Sequence, residues 1–280
     1  MKQFFTRHAL LFGLALMFAF TWPIDLLWAA NTRGWAAIQI PQPLTLIVGY
    51  GFVAASLLAT AVVSGRAGMV SLLRRFLIWR VGLSWYAVAL FLPLALYLTG
   101  MAFQFAITRV PPDFTDVFAR NLFGQGASLW VFVIPFFLFD VFLNGEEIGW
   151  RGYILPRLQS QRSALVSSLI IGVIWGLWHI PKFLTAGSNQ SSMGLGIYML
   201  DTVARAVLFT WLFNNTRGSL LLVTLFHAAW NTWGIFLPVD YAALPNLAVN
   251  WLVVAVVVIA AGAEHLSRHP SSATVIESTA

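Results

Sequence analysis

The chain has 280 residues, of which 59% are hydrophobic and 9% charged, where a soluble domain is roughly a quarter charged. Apolar runs close to the ~20 residues needed to cross a bilayer recur along its length, which excludes a soluble domain of ordinary size and reads as one polytopic, all-α membrane domain. Its 16 Lys and Arg against 10 Asp and Glu are scattered singly between those runs and it has no cysteine, so nucleic-acid binding, disulfides and thiolate metal sites are excluded as well.

Residues 1–8 carry Lys2 and Arg7 and lead into an apolar run ending near Ala30. The run resembles both a signal peptide and a first membrane helix, but Pro23, Asp25 and Trp28 make a poor cleavage site, so a retained helix is expected. A second span is expected over about 44–63. Between 65 and 82, Arg66, Arg74, Arg75 and Arg80 stand among Leu, Phe, Ile and Trp. That pattern predicts an amphipathic stretch on an anionic membrane face, with a solvated basic loop as the competing reading. A third span, about 85–107, precedes a polar connection with Pro111, Pro112, Asp113 and Asp116, and a fourth from about 129 contains Asp140 and runs into Glu146. The remaining spans are expected at about 164–180, 195–213, 220–236 and 247–263. The sixth holds Asp201 and Arg205 at the i,i+4 spacing of a helical ion pair; these two, Asp25 and Asp140 read as structural. The polar tail after Glu264 is expected to be disordered.

Eight spans put both termini on one side. With the N-terminus inside, the inner segments hold Lys2, Arg7, Arg66, Arg74, Arg75, Arg80, Arg151, Arg157, Arg162, Arg217 and Arg268, and the outer ones only Arg33, Arg109, Arg120 and Lys182. The positive-inside rule therefore predicts N-in, C-in, in the cell membrane, with any cavity opening toward the inner face.

Ionisable groups inside a membrane cost several kcal/mol each and persist where function or pairing holds them. Three clusters qualify: Glu146, Glu147 and Arg151; Trp175 with His179; and His227 with Asn231. Glu147 and Arg151 share a helical face, the favourable order for an ion pair, which leaves Glu146 available for chemistry. His227 and Asn231 also share a face, and both can donate hydrogen bonds to an oxyanion. At a rise of 1.5 Å per residue, Glu146, His179, His227 and Asn231 lie about 18, 24, 12 and 18 Å above the inner ends of their helices. All four fall in one slab of the bilayer.

The three motifs, Glu146-Glu147-Ile148-Gly149-Trp150-Arg151, Trp175-Gly176-Leu177-Trp178-His179 and His227-Ala228-Ala229-Trp230-Asn231, resemble those of the CPBP intramembrane proteases. This is the CAAX protease and bacteriocin-processing group, also labelled ABI, which includes the eukaryotic prenyl-protein endopeptidase. Trp175 stands where that family usually has Phe. The resemblance covers about 130–235 and implies an eight-helix core with a polar cavity that hydrolyses a peptide bond of a membrane-associated protein or peptide. It divides the chain into N-terminal helices with the basic segment (1–127), a catalytic core (128–236), and a last helix with the tail (237–280). It implies Glu146 as the base that activates water, His179 as its helper, His227 and Asn231 as the oxyanion hole, and Glu147 and Arg151 as support. Zinc on Glu146, His179 and His227 is a possible two-His, one-carboxylate set; with no HExxH helix, a mechanism without a required cofactor is preferred. The sequence names neither the substrate nor the oligomeric state. A membrane immunity or scaffold protein using the same cavity for binding is the alternative. A transporter is a weaker third reading, because repeated halves are lacking.

Overall fold

A computed structural model describes residues 2–38, 40, 41, 44, 48–125, 128–239 and 244–268. Every regular element among them is helical, as expected of a chain surrounded by lipid, where only a helix or a closed barrel satisfies its own backbone. The main helices are α1 (Ala9–Thr32), α2 (Val48–Arg74), α3 (Leu83–Thr108), α4 (Val133–Leu143), α5 (Leu155–Gln159), α6 (Ala164–Trp178), α7 (Leu195–Asn215), α8 (Leu220–Phe236) and α9 (Leu244–Ala261). A π-helical turn, Ile148–Ile154, leads into α5, and a short helix, Ile180–Leu184, continues α6.

The eight expected spans resolve unequally. Six helices are long and apolar enough to cross a membrane: α1, α2, α3, α6 with its continuation, α7 and α9. A seventh crossing is a pair of helices, Leu129–Leu143 and Ile148–Gln159, bent by 42°. The last, α8, has only 17 residues. Twelve of them are buried, so α8 is shielded mainly by protein and a length of about 25 Å suffices. Serines start both α6 and α8: Ser163 and Ser219 accept from the Val166 and Leu222 amides at 3.3 and 3.2 Å, capping donors that lipid would leave stranded.

The chain alternates between two faces. On one, the Tyr153 hydroxyl donates to the Ala9 carbonyl at 2.9 Å, Ser219 to Ile78 at 2.7 Å, Ala164 N–H to Glu264 at 2.7 Å, and Arg217 to the Arg80 carbonyl. This is the arginine-rich face. On the other, Arg33 donates to the Leu184 carbonyl at 2.8 Å and the Ala186 amide to Thr32 at 3.0 Å. The Asp113 turn lies outside the spans; the Thr115 hydroxyl and amide both donate to its carboxylate, holding it below its usual pKa. Gly65 sits at φ 66°, a left-handed value that glycine tolerates. The kink redirects 66–74, and Arg66 and Arg74 are exposed beside Val70 and Leu73. Residues 66–74 thus form a helical segment that exposes arginines and large apolar side chains together.

Two expectations need correction. Residues 265–268 are ordered against α7: Asn214 and Asn215 donate to the His265 and Leu266 carbonyls, each at 2.8 Å, and Ser267 donates to Asn215 at 3.0 Å. The rest of the tail, 269–280, lies outside the described residues. Arg151 is not a loop charge, since it is buried completely.

Candidate active site

The site is built where α4 stops. Asn144 leaves the helix at φ −82°, ψ 93°, and a break inside a membrane strands backbone groups that must find partners. The Tyr50 hydroxyl donates to the Phe142 carbonyl at 2.8 Å, and the Asn144 side-chain oxygen accepts from the Glu146 amide at 3.1 Å. Two glycines make room for the break. A β-carbon on Gly49 would lie 2.5 Å from the Leu143 carbonyl oxygen, and one on Gly145 would lie 2.4 Å from that of Gly49.

Beyond the break the two glutamates separate. Glu147 points into the packed interior, where its Oε1 accepts from Arg151 Nη1 at 3.0 Å and meets His227 Nδ1 at 2.8 Å. The Arg151 guanidinium also lies 4.2 Å from the Phe209 ring centroid and 4.8 Å from that of Trp175, a favourable contact for a desolvated cation. The expected Glu147–Arg151 pair is present, and Glu147 has a second task. A carboxylate on Nδ1 fixes the imidazole and leaves Nε2 of His227 for the cavity.

Glu146 lies at the cavity wall. Its Oε2 accepts from Trp175 Nε1 at 2.8 Å and from Trp150 Nε1 at 3.3 Å, which leaves Oε1 for water. His179 Nδ1 is 2.9 Å from the Trp175 carbonyl. A carbonyl only accepts, so Nδ1 carries the proton and Nε2 of the neutral ring carries the lone pair. Trp175 is the hub of the cluster, with ring centroids 6.1 Å from His179 and 5.5 Å from His227. Trp175, which stands where the CPBP proteases usually have Phe, therefore holds the Glu146 carboxylate through a hydrogen bond that Phe could not make.

Asn231 is reached from an unexpected direction. Its Nδ2 donates to both Asp140 oxygens, at 3.2 and 3.4 Å. Asp140, set aside as structural from the sequence, is thus part of the site. Together with Glu146, His179, His227 and Asn231 it lines a cavity of about 370 Å³. The rim comprises Phe118, Lys182, Ser188, Asn189, Gln190 and Met193. Toward the arginine-rich face the interior is packed by Trp150, Tyr153, Ile154, Phe213 and Phe226, all at most 2% exposed. The opening is therefore on the face that carries 185–194, contrary to the expectation of an opening on the arginine-rich side. Loop charge determines orientation, whereas the volume of buried side chains determines which end is closed.

Residues 125–233 match the family model of the type II CAAX prenyl endopeptidase, Rce1-like proteins. The CAAX prenyl protease 2 of Methanococcus maripaludis is 32% identical over 112 residues. The matched stretch covers 38% of this chain and 41% of that protein. The likeness is confined to this stretch, which spans less than half of either protein.

The matched stretch contains every site residue expected from the sequence, together with three that were missed: Asp140, Trp150 and Lys182. Trp150 carried a signal, since it lies one helical turn after Glu146. Lys182 is tied to a helix outside the region, pairing with Asp25 of α1 at 2.7 Å. The Asp201–Arg205 pair forms as expected, and Asn250 of α9 donates to Asp201 at 2.6 Å. Zinc does not fit this geometry. Among the described residues no three His, Asp or Glu side chains gather closely enough to share an ion, and one Glu146 oxygen is already held by two indoles.

Proposed function

We propose that the chain is an intramembrane endopeptidase whose chemistry resides in 128–236, with the remaining helices holding that core in the membrane. The observation that carries this reading is the convergence of Glu146, His179, His227 and Asn231 on one cavity. Glu146 Oε1 takes a proton from water as the water oxygen attacks the scissile carbonyl, and His179 Nε2 helps to hold that water. The carbonyl oxygen becomes an oxyanion, which the Asn231 amide and the His227 Nε2–H receive. For Nε2 to donate while Nδ1 faces Glu147, the His227 ring must carry both protons. The proton on Glu146 then passes to the leaving amine. A peptide or a segment of a membrane protein is the substrate. The curated relative is named for prenylated CAAX substrates, and nothing in this cavity requires a prenyl group.

The test is hydrolysis by the purified protein in lipid, assayed against a peptide library, with Glu146→Gln and His227→Ala as controls. Loss of a general base costs about 10²–10⁴-fold in rate. Full turnover by either folded variant sinks the proposal. A parent protein that binds a partner peptide tightly and never cleaves it would favour the scaffold reading.

A further inference from the structure

The cavity and the positive charge lie at opposite ends of the molecule, and their arrangement identifies the compartment from which the site is reached. The arginine-rich face gathers both termini of the helical bundle. Ala9 sits against Tyr153, while Glu264 and His265 sit against Ala164 and Asn214. With Arg151 removed from the tally, this face still carries ten of the basic side chains, against four on the other. One of those four, Lys182, is neutralised by Asp25. The bias is therefore stronger in three dimensions than in the sequence, and the rule for basic loops makes the arginine-rich face cytoplasmic.

None of the cavity's lining residues comes from the segments of that face; its rim is drawn from 182–193 and from Phe118 in the connection after α3. Between the site and the cytoplasmic side stand Trp150, Tyr153, Ile154, Phe213 and Phe226, with Arg151 clamped among Phe209, Trp175 and Glu147. A peptide has no route through that packing. From the other side it meets polar, partly exposed Ser188, Asn189 and Gln190, which suit an extended backbone entering from water.

We propose that the cavity opens away from the cytoplasm, so that its substrates are peptides or membrane-protein segments exposed on the extracytoplasmic side. The substrate part of this inference rests on the proteolytic reading above; the orientation part does not.

The parent chain has no cysteine, so each single-cysteine variant reports one position. Asn189→Cys, Gln190→Cys and Met193→Cys mark the rim, and Ser160→Cys and Gln161→Cys the arginine-rich face. The full-length variants are expressed in cells and treated with a membrane-impermeant maleimide before or after permeabilisation. The rim cysteines should label in intact cells as strongly as in permeabilised ones, and Ser160→Cys and Gln161→Cys only after permeabilisation. The reverse pattern overturns the proposal, as does labelling of Met193→Cys from the cytoplasmic side alone. Because labelling needs no turnover, a parent protein that labels as expected yet cleaves nothing would count against the protease and leave the orientation standing.

Discussion

Trp175 donates its indole N–H to Oε2 of Glu146 at 2.8 Å, so the residue that stands where the CPBP proteases usually have Phe is the one that aims the proposed base. Trp175→Phe keeps a ring against His179 and His227 but removes the donor. A hydrogen bond to a charged group is worth about 1.5–3 kcal/mol, so kcat should fall roughly ten- to hundred-fold while KM and thermal stability hold. Steady-state kinetics alongside a melting curve check this. A matching drop in stability would mean that the ring, not its N–H, was the part that mattered.

Glu147 is shared by Arg151 and His227, which makes its two tasks separable. Arg151→Ala takes one of two partners from a buried carboxylate and leaves it to His227 alone; loss of such a partner should cost about 3–5 kcal/mol, enough to abolish accumulation of folded protein. The pair of changes Glu147→Gln with Arg151→Met removes both charges together. It should recover the fold, read by size-exclusion profile and melting temperature, without recovering cleavage, because His227 has lost the carboxylate that orients it.

Asp140 holds the Asn231 amide through both carboxylate oxygens and acts as a positioning residue. Asp140→Ala should lower kcat about tenfold, the value of one such bond, with little change in KM, because the amide no longer faces a developing oxyanion. Asp140→Asn keeps one acceptor and should recover part of the loss. An equal rise in KM and fall in kcat would instead point to a collapsed cavity.

The contact of Gly49 with Gly145 predicts intolerance to a single methyl group. Each β-carbon would overlap a carbonyl oxygen of the facing segment, and overpacking of this kind costs about 1–3 kcal/mol. Gly145→Ala should melt earlier and lose cleavage. Gly124→Ala, whose β-carbon would meet no atom within 4 Å, should retain cleavage despite its strained φ of 91°.

The pattern of local contacts explains what the sequence could convey. The Glu147–Arg151 pair was legible because both partners lie one turn apart, as were the helices, whose composition leaves no other solution in lipid. The Glu147–His227 and Asp140–Asn231 contacts join residues 80 and 91 positions apart, and no spacing rule reaches that far. Asp140 reads as structural from the sequence, although an acid within a membrane span was itself the signal. The direction of the cavity was misread for a related reason. It depends on where Trp150, Phe213 and Phe226 accumulate in three dimensions, whereas the charge tally records only what the loops carry.

The packed floor beneath Glu146 has an electrical consequence. A polar cleft cut part-way into a bilayer brings the aqueous phase, and with it the local potential, down to its deepest water. Most of the transmembrane voltage then falls across the thin layer formed by Trp150, Tyr153, Phe213 and Phe226, where one elementary charge would gain or lose about 2.3 kcal/mol per 100 mV. The buried Arg151–Glu147 pair lies within or beside that layer with no net charge. The protein can therefore hydrate its site without opening a path along which protons run down the gradient.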